Sequence, residues 1–293
     1  MDVSVIIVNY NTSVLLDNCI SSLLEKTKGI NFEIIVVDNA SSDNSLSMMK
    51  QKYSLIKLIE SKENLGFGKA NNLGSKYANG KYLFLLNTDT LLINNAIKIL
   101  FDYMEIGSNI NIAACGGNLY NQDLTPNFSY SINFPSLKSV FSYRSRLPFL
   151  QNNEYFNATD EVKDVSIVIG ADFFVRKNIY DKIGGFDPSF FMYVEDGELC
   201  YRIKKLNYRI VSVPLAKIIH LQGKSSSNSF KLQMEFTGYL IYFKKHFSSL
   251  TLKMYKLIEV FFAFLRMIFF TVTINKSKIK DYFNLIKFII ISR

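Results

Sequence analysis

Two adjacent carboxylates, Glu195 and Asp196, stand between an aromatic run (Phe190, Phe191, Met192, Tyr193) and a helical pattern in which Leu199, Ile203 and Leu206 share a face. A turn (Gly184, Gly185, Asp187, Pro188) precedes them. Carboxylates in apolar surroundings are costly to bury without a task, and the task open to such a pair is proton transfer. The helix dipole favours acids in a first turn and would account for this pair alone. It does not account for a second acidic site, Asn87-Thr88-Asp89-Thr90, or for polar residues closing two other apolar runs. Asp38 ends Ile34-Ile35-Val36-Val37, and Asn9 ends residues 3–8. A lone Asp at such an end is commonly a turn or helix cap. Three polar ends together with Glu195-Asp196 read as one site assembled from several strands.

The elements that must position these residues alternate. The run Tyr82-Leu83-Phe84-Leu85-Leu86 is short, apolar and bounded by Gly80 and polar residues, as a buried parallel strand is. Helical patterns follow the early strands over 13–25, with Ser13 expected as its cap, over 44–53 and over 69–78. This βα alternation predicts a parallel sheet with helices on its faces. Residues 112–119 continue the sheet, 165–170 resume it, and 209–213 and 216–219 follow the Glu195 helix, with His220 at the end of the last strand. Residues 121–163 lack clear periodicity and are expected to form an irregular insertion on the acceptor side.

Seven pieces in order now resemble family 2 glycosyltransferases of the GT-A fold, in particular bacterial rhamnosyltransferases of O-antigen and cell-wall polysaccharide synthesis. They are VSVIIVNYN (3–11), IVVDNASS (35–42), NLGFGKANNLG (64–74), YLFLLNTDTL (82–91), GADFFVR (170–176), the 184–202 stretch, and HLQGKSS (220–226). Each piece is weak alone, and their shared order over residues 3–226 is what is specific. The resemblance implies an α/β fold, a Rossmann-like mostly parallel sheet flanked by helices, with residues 1–229 as catalytic domain and 230–293 as a helical extension. It implies a dTDP- or UDP-sugar donor, L-rhamnose being the best match, and a lipid-linked or growing glycan as acceptor. Asp38 would accept from the imide N–H that uracil and thymine share, with Asn9, Asn11, Asn39, Gly66 and Asn71 around the nucleotide. Asn71 stands where other branches carry Arg. Asp89 and His220 would hold Mg²⁺ or Mn²⁺ against the diphosphate, with Asp89 alone where the family commonly has more than one carboxylate. Lys224, Ser225 and Ser226 would close over the diphosphate. Asp196 would be the general base of a single inverting displacement, Glu195 would steady it, and Glu198 would face the acceptor. Asp172, Asp187 and His246 are expected to have no catalytic part.

Two readings of other classes compete. A non-catalytic nucleotide- or glycan-binding relative would not need Asp38, Asp89, Asp196 and His220 together. A nucleotidyltransferase-like enzyme would need an Arg/Lys-rich loop after the first strand, where this chain has Asn9-Tyr10-Asn11-Thr12-Ser13. Gly66-Phe67-Gly68 lacks the spacing and position of a dinucleotide loop.

Charge is unevenly placed. The formal net charge is +9, of which +8 falls in residues 230–293 and +1 in residues 1–229. The basic residues alternate with Val260-Phe261-Phe262-Ala263-Phe264-Leu265 and Met267-Ile268-Phe269-Phe270, a pattern that favours an anionic membrane surface over nucleic acid. Residues 254–274 have the length of a membrane span but contain Lys256, Glu259 and Arg266. Each central charge costs about 2.5–3.5 kcal/mol on the insertion scale against about 0.3–0.6 returned per apolar residue, so spanning is not favoured. The expectation is an interfacial helix, or one packed on the main domain or in a homodimer. With no signal peptide at the start and Cys19, Cys115 and Cys200 in no metal pattern, the chain reads as peripheral on the cytoplasmic face of a bacterial plasma membrane, in a reducing compartment.

Overall fold

The computed structural model describes residues 1–147, 154–221 and 228–292. They form two compact units. The first comprises Met1–Asn133, Glu154–Pro188 and Glu195–Gly223, and the second Phe134–Asn153, Ser189–Val194 and Lys224–Arg293.

The first unit begins with three βα steps: β1 (Val3–Asn9), α1 (Ser13–Lys26), β2 (Phe32–Asp38), α2 (Ser45–Lys52), β3 (Lys57–Glu60) and α3 (Phe67–Ser75). It continues through β4 (Tyr82–Asn87), β5 (Thr90–Leu92), α4 (Ala96–Glu105), β6 (Ile112–Tyr120) and β7 (Tyr130–Ser131). The second unit then receives α5 (Leu137–Ser145). The first resumes with β8 (Lys163–Asp164), β9 (Ile167–Val168), β10 (Asp172–Arg176), α6 (Lys177–Lys182), α7 (Glu195–Lys205) and β11 (Arg209–His220).

The sheet order is β3-β2-β1-β4-β10-β6-β11-β5, with β8 added to β11. β3, β2, β1 and β4 are mutually parallel, as are β6 and β11, whereas β10 runs antiparallel to both β4 and β6. The inner parallel strands β1 and β4 are mostly apolar because helices cover both faces, with Ser4 of β1 donating to Glu33 at 2.7 Å, whereas the edge strand β3 exposes Lys57 and Glu60. Val3, Val5, Ile6 and Ile7 of β1 have no exposed surface, nor do Tyr82 to Leu85 of β4. α1 turns Leu16, Cys19, Ile20 and Leu23 inward, the i, i+3, i+4, i+7 stripe that makes it a helix against a sheet. In-register pairing brings Asn9 opposite Asp38 and Val8 opposite Asn87, so three strand ends meet at one edge.

Five expectations change. The strand within 165–170, β9, pairs with β7 in a separate two-stranded sheet, and β10 is the strand that sits between β4 and β6 in the main one. Thr12, not Ser13, is the N-cap position of α1, and the Ser13 N–H instead donates to Asp43 at 2.9 Å. Residues 121–163 are not irregular throughout, since they hold β7 and α5, the latter started by a reciprocal capping box between Ser136 and Ser139. The last two strands are one, β11, whose register against β6 shifts between Ser212 and Lys217. Leu206 lies beyond the end of α7 and is 44% exposed, while Leu199 and Ile203 are buried.

The second unit adds α8 (Asn228–His246), α9 (Ser249–Val272) and α10 (Lys276–Ile291) to α5. Its core is aromatic: Tyr255 stacks on Phe236 at 5.5 Å and lies 5.0 Å from Phe243. Arg144 of α5 is buried, with Nε donating to Glu259 at 2.9 Å and Nη2 3.5 Å from Glu235. The opposite face of α9, including Leu257, Phe261, Phe264, Ile268 and Phe269, is exposed. Among the described residues no helix is long and apolar enough to cross a membrane.

Candidate active site

At the ends of β1 and β2 the side chains form one hydrogen-bonded run. Asn9 Nδ2 donates to Asp38 Oδ1 at 2.9 Å and to Ser41 Oγ at 3.0 Å. Asp38 Oδ2 accepts from the Ser41 N–H at 3.0 Å, and Asp38 is only 2% exposed. Thr12 Oγ1 donates to Asn9 Oδ1 at 2.8 Å and lies in hydrogen-bond reach of the Thr88 hydroxyl at 3.1 Å, which ties in the loop after β4. Asn11 and Ala40 both hold left-handed backbone, and Asn11 Oδ1 accepts from the Ser42 N–H at 2.7 Å. The Asn39 N–H donates to the Asn9 carbonyl at 2.8 Å, and its side chain reaches Asn64 at 2.9 Å and the Gly66 carbonyl at 3.3 Å. Asn9, Asn11, Asp38, Asn39 and Gly66 therefore belong to one cluster. Asn71 lies buried on α3, with Nδ2 donating to the Phe67 carbonyl and Oδ1 without a partner among the described residues. Beside Asn11 a cavity of about 280 Å³ is lined by Thr12, Ser13 and Asp43.

Asp89 and His220 also come together. β11 runs antiparallel to β5 with His220 opposite Thr90, and the Leu221 N–H donates to the Asp89 carbonyl at 2.8 Å. This pairing leaves Asp89 Oδ1 3.3 Å from His220 Nε2, both side chains 14% exposed. Among the described residues no group of three His, Cys, Asp or Glu is arranged for a metal. One carboxylate and one imidazole, both partly accessible, fit a Mn²⁺- or Mg²⁺-type ion that takes its remaining ligands from phosphate oxygens and water.

Glu195 and Asp196 open α7. Asp196 Oδ2 accepts from the Gly170 N–H at 3.0 Å and Oδ1 from the Gly197 N–H at 2.7 Å. Gly170 neighbours Ala171, whose carbonyl accepts from the Asn87 N–H at 3.0 Å, so Asp196 is anchored beside the strand end that leads to Asp89. A methyl group placed on Gly170 would meet the Phe67 ring at 3.1 Å and Asp196 Cβ at 3.6 Å, which brings the NLGFG loop to the same point. Glu195 is 6% exposed and its Oε2 has no partner among the described residues. Burial, then the neighbouring Asp196 charge, push the Glu195 carboxyl up. Burial raises Asp196 as well, opposed by its two backbone donors. The two titrate as a pair. With donors on both of its oxygens, Asp196 is the better placed to carry the charge while Glu195 keeps the proton.

Glu198 corrects the expectation of an acceptor contact. It is 1% exposed and bidentate with Arg202 Nε at 2.9 Å, and Arg202 in turn donates to the Ile183 and Gly185 carbonyls at 2.8 and 2.7 Å. It braces the turn before the aromatic run. Asp172 is fully buried with Oδ2 accepting from the Gly117 N–H at 2.6 Å. Lys224, Ser225 and Ser226 lie outside the described residues. Thr12 and Ser41, which knit the cluster, escaped the sequence reading. The signal available was their place directly after strand ends, where a short hydroxyl side chain turns back on the backbone.

Known proteins resemble this chain in sequence and in fold. The profile described as Glycosyl transferase family 2 matches residues 4–184. The low-salt glycan biosynthesis hexosyltransferase Agl10 of Haloferax volcanii is 27% identical over 246 residues, covering 80% of this chain and 73% of its own. The N-acetylglucosaminyl-diphospho-decaprenol L-rhamnosyltransferase of Mycobacterium tuberculosis is 25% identical over 239 residues, 76% of each chain. Among solved structures, GalNAc-T7, crystallised with UDP, GalNAc and Mn²⁺, superposes with a TM-score of 0.60 at 18% identity, over 82% of this chain and 48% of that one.

Proposed function

The chain belongs to glycosyl transferase family 2, and we propose that it transfers one sugar, with inversion, from a nucleoside diphosphate donor to a hydroxyl of a lipid-linked or growing glycan. The observation that carries this reading is Asp196, a half-buried carboxylate held on two backbone N–H groups beside the β4 end that leads to Asp89. A base must be fixed within hydrogen-bond reach of the proton it takes, and here the orientation is set before any substrate arrives. Asp196 accepts the acceptor hydroxyl proton as that oxygen forms its bond to the anomeric carbon. The bond from that carbon to the diphosphate breaks, and the electron pair leaves with the phosphate oxygen. One displacement inverts the configuration.

Asp89 and His220 are the residues proposed to hold Mg²⁺ or Mn²⁺. A bound divalent ion would supply Lewis-acid stabilisation of the negative charge on the departing diphosphate. The presence of Mn²⁺ and UDP in the GalNAc-T7 crystal supports this choice. Asp38, held by Asn9 and Ser41, keeps lone pairs for a uracil or thymine imide N–H, and Asn11, Asn39, Gly66 and Asn71 surround the nucleotide. Lys224, Ser225 and Ser226 are proposed to cover the diphosphate.

L-Rhamnose from its dTDP derivative is the proposed donor, and a polyprenyl-diphosphate-linked glycan the proposed acceptor. The printed name of the Mycobacterium tuberculosis relative, which names both a lipid-linked acceptor and rhamnose, supports this. The tail, 230–293, is proposed to seat the enzyme on anionic membrane at the cytoplasmic face. Its charge of +8 and the exposed aromatic face of α9 support that reading.

The test is incubation of the full chain with a panel of nucleotide sugars and Mg²⁺ or Mn²⁺, following nucleoside diphosphate release and the anomeric configuration of the product by NMR. Turnover of a dTDP- or UDP-sugar with inversion is expected. Release from no donor in the panel, or a retained configuration, overturns the reading.

A further inference from the structure

Tyr193 and Val194, the two residues before Glu195, both hold left-handed backbone, with φ of +68° and +70°. That region is uncommon for any residue with a side chain and a true outlier for a β-branched one. Two such residues in succession persist only where their surroundings over-determine them.

The surroundings come from α8. Gly238 lies so close that a Cβ there would stand 2.6 Å from the Tyr193 carbonyl oxygen, 2.9 Å from Val194 Cγ2 and 3.1 Å from Val194 Cβ. Any side chain at 238 must displace the pair. A glycine inside a helix is otherwise unfavourable, so its presence here answers to that close approach. On the same helix, Lys231 Nζ lies over the Tyr193 ring, 6.0 Å from its centroid. Residues 189–194 thus belong to the helical unit, whereas Glu195, one peptide bond further on, opens α7 of the sheet unit.

We propose that Gly238 and the left-handed Tyr193–Val194 pair are positioning residues for the catalytic carboxylates. α8 grips the strained pair, and the pair sets the direction in which the chain enters α7, bringing Asp196 to the Gly170 and Gly197 amides. Relaxing residue 194 to ordinary right-handed backbone rotates φ by roughly 130° and redirects everything immediately downstream. The activity readout of this proposal rests on the transfer reaction proposed above.

The test uses the full-length protein with Gly238→Ala and Val194→Gly, the second keeping the proposal testable if the first does not fold. Three quantities are measured against native protein: kcat and donor KM below the melting midpoint, the midpoint itself, and amide exchange in the peptide covering 195–199. Either folded variant is expected to lose at least tenfold in kcat with donor KM within twofold, and to exchange at least tenfold faster over 195–199. Val194→Gly, relieved of strain, is expected to melt no lower than native. Val194→Asn, which tolerates left-handed backbone, should restore kcat to within about threefold of native. A merely structural glycine would lower the midpoint and leave kcat and exchange alone. Unchanged exchange in the folded variants overturns the positioning role, and faster exchange with unchanged kcat overturns its catalytic part. If native protein turns over no donor, the transfer reading fails and the exchange measurement alone decides whether the pair orders α7.

Discussion

Asp196 and Glu195 sit in unequal environments, and the roles proposed for them can be measured. Asp196→Asn nearly preserves shape while removing proton acceptance. It is expected to lower kcat by about 10²–10⁴ with donor KM within a few-fold, and steady-state kinetics check this. Near-native turnover by that variant would remove Asp196 from the role of base. Glu195 gives a pH signature. Burial and the Asp196 charge push its carboxyl up to about 8 from an ordinary 4.5. A raised value means that the folded protein binds this proton more tightly than the unfolded chain. The associated stability is therefore complete below the ordinary value and is lost as pH rises through the folded one. Glu195→Gln removes that dependence, so its melting midpoint should fall less than that of native protein across this window, as calorimetry at stepped pH would read. Parallel midpoint curves for the two proteins would contradict it. For the metal, Asp89→Ala and His220→Ala are each expected to raise the Mn²⁺ concentration for half-maximal activity at least tenfold, since each removes one of two proposed protein ligands. Full native activity in excess chelator would sink that assignment.

Among the elements, α5, α8 and α9 are joined by a buried ion network, Arg144 with Glu259 and Glu235, and Arg266 also donates to the Arg144 carbonyl at 2.8 Å. Removing Arg144 leaves a buried carboxylate uncompensated. Arg144→Met is expected to destabilise the helical unit by about 3–5 kcal/mol, and the double variant Arg144→Met with Glu259→Leu to recover most of this. Chemical denaturation of both variants would check it, and a double variant as unstable as the single would contradict it. The parallel strands of the first unit were legible because burial on both faces writes a continuous apolar run, as in Tyr82 to Leu86. The polar ends Asn9, Asp38 and Asp89 were legible because such runs stop abruptly. α5 was not, since its buried residues are only Val140 and Arg144 and a stripe needs more than one apolar position. The single strand β11 was hidden by Pro214, which a sequence reader takes for a break but which here sits at a register shift. Glu198 misled because a carboxylate beside two catalytic candidates looks like a third, and only its partner Arg202, one helical turn on, shows otherwise. The left-handed Tyr193–Val194 pair leaves no trace in sequence, as neither residue type favours that backbone.

For the whole molecule, the separation of charge matters more than its total. The tail's +8 and the exposed Phe261, Phe264 and Phe269 of α9 predict binding to anionic vesicles that weakens in high salt without vanishing. Each Lys or Arg near such a surface contributes roughly 1 kcal/mol and is screened, while apolar insertion is not. In co-sedimentation, Phe261→Ser with Phe264→Ser should abolish the salt-resistant part. Unchanged binding by this variant would exclude the α9 face, and a change of oligomeric state would assign that face to a second copy. The cysteines bring a different consequence. Cys19 on α1, Cys115 on β6 and Cys200 on α7 have no exposed surface, and burial pushes all three thiols up. All lie in the sheet unit, and the sequence has no others. The protein therefore carries its own clock for opening. A chromogenic disulfide reagent will react only as fast as the sheet unit exposes each sulfur, and the helical unit stays silent. The order of modification, read by mass spectrometry, times the release of α7 at Cys200, four residues past Asp196, against the rupture of the sheet at Cys115.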